Sequence, residues 1–110
     1  MKEPKKYKIH LTSEAKGDIL EPKKYILNTF KYRETAERFT EDIRHTILQL
    51  TLFPAAYPKT GVLIQGDEVY YKPHNTYLIF YVIKEERVII IRIIKDRMYW
   101  HPIIRRTHLI

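Results

Sequence analysis

A chain of 110 residues that is 45% hydrophobic and 13% aromatic can bury one core but has no room for a second, so residues 1–110 are expected to form a single domain. Charged residues at 30% and only three glycines exclude a disordered or fibrous chain. The lack of cysteine excludes a disulfide framework, a thiolate nucleophile and a Cys-containing zinc site, which suits a reducing cytoplasm, and the formal charge of +7 favours anionic partners, nucleic acid foremost.

Residues 1–6 are a polar, lysine-rich start that is expected to fray. The alternation of Tyr7, Ile9 and Leu11 reads as a short strand, followed by Thr12 and Ser13 as helix caps. A first helix from about Ser13 would bury Ala15, Ile19, Ile26 and Phe30. Pro22, which cannot donate the helical hydrogen bond, should kink or restart it. A second helix over residues 34–52 has the clearest pattern in the chain, with Ala36, Phe39, Ile43, Ile47 and Leu50 along one stripe. Only Tyr32 and Arg33 separate the two, so they form an antiparallel hairpin.

Pro54, Pro58 and Gly61 mark the exit from the helices, and everything beyond them reads as sheet. Residues 62–65, 68–72, 77–83 and 87–94 are β-rich runs separated by turn-like Gly66-Asp67, Pro73-His74-Asn75 and Lys84-Glu85-Glu86. The stretches 78–83 and 88–91 are apolar on both faces, so they should be the central strands, with the helix hairpin covering at least one side. The basic segment 99–110 is compatible with a short strand, a helical turn or a tail. The expected class is α+β: an N-terminal strand, a helix hairpin, then a four-stranded, mainly antiparallel sheet.

Arg92 interrupts the longest apolar run, which falls far short of the roughly 20 residues of a membrane-spanning helix. The lysines at the N-terminus are followed by charged residues where a signal peptide needs an apolar stretch, so a cytoplasmic protein with no membrane partner is expected.

Three stretches carry a likeness to a known family: Lys8-Ile9-His10-Leu11-Thr12-Ser13-Glu14-Ala15 with Asp18-Ile19; Thr76-Tyr77-Leu78-Ile79-Phe80-Tyr81-Val82-Ile83; and Val88 to Ile94 followed by Lys95-Asp96-Arg97-Met98-Tyr99. With the helix hairpin they resemble the RelE/ParE superfamily of bacterial toxins. The central strand resembles the family's Tyr-x-apolar-Phe/Val-Tyr pattern, although Leu78 stands where Arg is frequent. After the next strand Lys95 stands where His is frequent, Arg97 keeps the Arg, and Tyr99 stands where the ParE-like branch often has Asp. The resemblance implies a toxin held by an acidic antitoxin in a hetero-oligomer. It implies either a ribosome-dependent messenger RNA endonuclease or a ParE-type poison of DNA gyrase, and no cofactor.

Cleavage of RNA through its 2′-hydroxyl needs a proton acceptor, a cation for the phosphate and a proton donor for the leaving oxygen, and no metal. By the resemblance, Lys72 falls near a basic position that the nuclease branch uses on the phosphate. Arg97 and Tyr99, two residues apart, would project to one face if the chain stays extended. His74 and His101 are further acid or base candidates. Lys59, Tyr71, Lys95, Arg105 and Arg106 are the expected RNA contacts. His10, His45 and His108 are dispersed and have no metal-ligand spacing. Tyr70, Tyr71, Tyr77 and Tyr81 read either as a platform for unpaired bases or, more simply, as cover for the core. The preferred expectation is a metal-independent endoribonuclease; the alternatives are a gyrase poison without nuclease activity and a non-catalytic protein-binding module.

Overall fold

The computed structural model describes residues 5–30 and 32–109, without the side chain of Phe30. The expected burial of Phe30 and most of the fraying start therefore lie outside the described residues. The elements are β1 (Lys8–Leu11), α1 (Ser13–Phe30), α2 (Arg33–Leu48), two 3-10 turns at Gln49–Thr51 and Pro54–Ala56, β2 (Lys59–Ile64), β3 (Asp67–His74), β4 (Tyr77–Lys84), β5 (Arg87–Lys95) and α3 (His101–Arg105). The strands form one sheet in the order β1-β5-β4-β3-β2. β2 to β5 run antiparallel, and β1 lies parallel to β5 at the edge, with Lys8 opposite Arg87 and Leu11 opposite Ile90. The class is α+β as expected, with the first strand joined to the four later ones.

Several boundaries differ from the sequence reading. α2 ends at Leu48 and tightens into a 3-10 turn, and Phe53, at φ 54°, then reverses the chain. Arg33 is helical, so the α1–α2 connection comes earlier than Tyr32-Arg33. α1 runs through Pro22 without restarting. β2 starts three residues earlier than Val62 and takes four steps where β3 takes two, an irregularity that holds Gly61 at φ 85°.

The hairpin turns also move. Gln65 and Gly66 both have positive φ, as a type I′ turn requires, so Asp67 belongs to β3 rather than to the turn. Asn75-Thr76 is the next turn, which places Pro73 and His74 inside β3. Pro73 is tolerated there because it lies beyond the last β2–β3 pair, Lys59 opposite Tyr70, where a missing N–H interrupts no ladder. Glu85-Glu86 is the third turn, with Lys84 in the strand.

The central strands β4 and β5 are buried on both faces. Ile79, Tyr81, Val88, Ile90 and Ile93 meet Ala15, Ile43, Ile47 and Leu50 of the helix hairpin side. Phe80, Val82, Ile89, Ile91 and Ile94 meet Val62, Ile64, Val69 and Ile104 on the other side. Fully burying each such side chain contributes about 1.5–3 kcal/mol. The C-terminal segment is thus the cover of the second face, a short helix rather than a strand or a tail. In β5 an extra residue, Ile91, falls between the pairs Tyr81–Ile90 and Phe80–Arg92. This β-bulge changes which residues of β5 face the helices, from Val88 and Ile90 to Ile93.

Candidate functional site at the open end of the sheet

β1 stops at Leu11, which leaves the outer edge of β5 without a strand from Ile91 onward. Thr12 and α1 take over. The Thr12 hydroxyl donates to Ile91 O at 3.0 Å and accepts from Ala15 N–H at 3.1 Å, which caps α1. The Asp18 carboxylate accepts from Ile93 N–H at 2.8 Å and from Arg92 Nε and Nη2 at 2.7 and 2.9 Å, while Glu14 takes Arg92 Nη1 at 3.3 Å. The Asp18 bond raises the Arg92 pKa further above its usual value. Arg92, which interrupts the apolar run, is the fastener between α1 and the sheet. A lone Arg in such a strand is the sequence signal for a carboxylate partner, though not for which one.

At the far end of β5 the candidate residues gather. His74, Tyr77 and Lys95 are successive cross-strand partners on β3, β4 and β5, so they form a row about 5 Å per strand. Asp96 N–H donates to Thr76 O at 2.8 Å, and Met98 N–H donates to Lys95 O at 3.0 Å. These bonds fold the chain back beside the β3–β4 turn. The extended course that would have aligned Arg97 with Tyr99 is therefore replaced by a turn.

His74 is held from α2. Its Nδ1 lies 2.7 Å from Thr46 Oγ1, and that hydroxyl also reaches Asp42 O at 3.1 Å. The contact holds the ring against α2 with either tautomer, since the hydroxyl both donates and accepts. Burial lowers the His74 pKa below 6.5 against the opposing pull of Asp42, and Lys72 lowers it further. An imidazole held in place and favoured in its neutral form is a candidate for proton transfer. Thr46 and Asp42 were not legible as its partners, because only the packing of α2 on the sheet brings them there.

Lys72 shares the hairpin-side face of β3 with His74, but its ammonium donates to the Tyr57 hydroxyl at 3.1 Å and sits 4.4 Å from the centre of that ring. Arg97 and Tyr99 are exposed, and the Tyr99 ring lies 5.7 Å from His101. Among the described residues no hydrogen bond, ion pair or ring contact joins Lys72 to Arg97 or Tyr99. The expected RNA contacts are dispersed. Lys59 bonds Glu68 at 2.8 Å on the edge strand, a bond that raises the Lys59 pKa. Tyr71 packs into the second-face core, and Arg105 and Arg106 end α3 in solvent.

The tyrosines form no platform. Tyr81 is fully buried, stacked on Tyr70 at 5.5 Å, and its hydroxyl donates to Pro54 O at 2.6 Å, with burial holding its pKa well above the ordinary value. Tyr77 meets Phe39 edge-on, and burial raises its pKa also. A cleft of about 620 Å³ opens beside it between α1, α2 and Lys95. No group of three or more His, Cys, Asp or Glu suited to a metal occurs among the described residues, nor any helix long and apolar enough to cross a membrane.

Comparison with known proteins gives this architecture a family. The model of the ParE toxin of the type II toxin-antitoxin system parDE matches residues 9–100. The chain belongs to the ParE toxin family. The match begins in β1 and ends at Trp100, so it spans the Arg92 fastener, the His74 row and the turn that carries Arg97. A solved structure described as the chromosomal ParDE toxin–antitoxin system from P. aeruginosa has the same fold: TM-score 0.64 at 15% identity, covering 81% of this chain and 95% of that one. No curated protein matches. The protein is therefore a ParE-type toxin of a type II toxin–antitoxin system.

Proposed function

We propose that this ParE-type toxin arrests growth by poisoning DNA gyrase, without cutting RNA, and that an acidic antitoxin restrains it in a hetero-oligomer in the cytoplasm. The family match over residues 9–100 carries the reading, because the superfamily resemblance ties the ParE branch to gyrase and the nuclease branch to RNA. The site geometry supports it: the Lys72 ammonium is engaged by Tyr57 and does not meet Arg97 or Tyr99. The charge of +7 suits an acidic antitoxin. A groove of about 380 Å³ lined by Ile9, Leu11, Ile19, Ile47 and Leu48, with Arg44 beside them, suits the apolar residues of its ordering segment.

A second reading, the metal-independent endoribonuclease, is favoured by His74. Its ring is held on Thr46 and is a candidate acceptor for a 2′-hydroxyl proton, with Lys95 two strands along the same row as a phosphate cation. Inducible expression in bacteria separates the two. Gyrase poisoning gives DNA-damage signalling and chromosome breaks with messages intact. New message ends on primer extension that vanish with His74→Ala, in cells with whole chromosomes, would transfer the assignment to the nuclease.

A further inference from the structure

The cleft of about 620 Å³ beside Tyr77 is distinct from the apolar groove at β1. It shares Glu21, Pro22, Tyr77 and Lys95 with a second cavity of about 260 Å³ that reaches Arg92, Met98 and Ile103. Sites for small ligands are hollows of about 300–1,000 Å³, mostly apolar, with a few convergent polar groups. The walls here fit that pattern, with Pro22 and Ile26 from α1 and Phe39 from α2 facing the start of β4 and the end of β5.

Four polar groups interrupt the apolar lining. Glu21 and Lys95 are exposed at the cleft, and neither forms an ion pair among the described residues. The half-buried Tyr77 hydroxyl makes no hydrogen bond among the described residues, and burial alone raises its pKa, so it keeps its proton. Pro22 has no N–H, so the carbonyl of Asp18, one turn back in α1 and lining the adjoining cavity, lacks its helical donor. The neighbouring acids are already committed. The Asp18 carboxylate holds Arg92 and the Ile93 N–H, and Glu14 holds Arg92 and the His108 N–H.

A ligand with only negative charge would be repelled by Glu21, and one with only positive charge by Lys95. A molecule carrying both answers both. Phe39 and Tyr77 meet edge-on with their centres 5.8 Å apart, an aromatic wall that a third ring extends. We propose that this cleft binds a free aromatic amino acid, its carboxylate on Lys95, its ammonium on Glu21 and its ring against Phe39 and Tyr77. An acidic peptide segment would bring carboxylates without the ammonium. The proposal rests on neither reading of the toxin's target.

The full chain, isotope-labelled for amide NMR, is titrated with L-phenylalanine, L-phenylalaninamide and N-acetyl-L-phenylalanine. Phenylalanine should give saturable shifts at Ile26, Phe39 and Tyr77. Phenylalaninamide lacks the carboxylate and N-acetylphenylalanine lacks the ammonium, so each should bind about two- to fivefold more weakly, the worth of one exposed ion pair. Lys95→Gln should weaken phenylalanine by the same factor and leave phenylalaninamide unchanged. Glu21→Gln should weaken phenylalanine and leave N-acetylphenylalanine unchanged. Both side chains are exposed, so the fold should survive, which amides far from the cleft report directly. Equal affinity for the three compounds overturns the proposal, as do variants that weaken all three alike. So does phenylalanine that fails to saturate the cleft, or that shifts the groove of Ile9 and Leu48 in its place.

Discussion

Three side chains carry more of this molecule than their types announce. Removing the Asp18 carboxylate strands the Ile93 N–H and leaves Arg92 with Glu14 alone, at 3.3 Å. With side-chain exposures of 22% for Arg92 and 15% for Asp18 the pair is shielded, so Asp18→Ala should cost about 2–4 kcal/mol in a denaturant titration. A loss no larger than that of an exposed Glu→Ala control would mean that α1 is held by apolar packing alone. Tyr81→Phe leaves Pro54 O without its buried donor and should cost about 1–3 kcal/mol. His74 gives a pH signature. Its folded pKa lies below 6.5, so the unfolded chain takes the proton first as pH falls. The stability is complete above that value and is lost on acidification through the folded pKa. The urea midpoint should drop between about pH 7.5 and about pH 5.5, and the drop should shrink in His74→Gln. Equal drops in both proteins would place the titrating group elsewhere.

At the scale of elements, the second face of the sheet depends on a helix of one turn. Ile104→Ala, beneath Phe80 and Ile91, should cost about 2–4 kcal/mol although it alters only α3. Gly66→Ala, which forces a Cβ onto φ 85°, should cost about 1 kcal/mol through the β2–β3 turn. Unchanged midpoints in either would show that the C-terminal cover or the turn is dispensable. The order of elements was legible because periodicity is a local property. The stripe from Ala36 to Leu50 and the two-sided apolar runs of β4 and β5 have few other uses. The covering role of residues 100–109 was not, because Trp100, Ile103 and Ile104 gain their meaning from Phe80 and Ile91 across the fold. The site divides the same way. His74, Lys95 and Arg97 were found as residue types, and cross-strand register together with the Asp96–Thr76 bond brings them to one end of the sheet. The spacing of Arg97 and Tyr99 misled, since it assumed a chain that stays extended where Met98 closes a turn on Lys95. Thr46, Asp42 and Tyr57 are set by tertiary packing alone.

For the whole molecule, the basic chain presents the His74 end of the sheet and the apolar groove beside β1 as separate surfaces. An antitoxin that fills the groove with an acidic, apolar segment is attracted by the charge of +7, so its association rate should fall steeply with added salt. A rate indifferent to salt would mean that apolar contact, not charge, governs capture. Gyrase is the proposed target. The most direct test incubates the purified chain with gyrase, ATP and supercoiled plasmid, then stops the reaction with detergent and protease. The account predicts that linear DNA accumulates with toxin concentration and only when gyrase is present. Plasmid that stays intact while the same preparation cuts messenger RNA on ribosomes would contradict it.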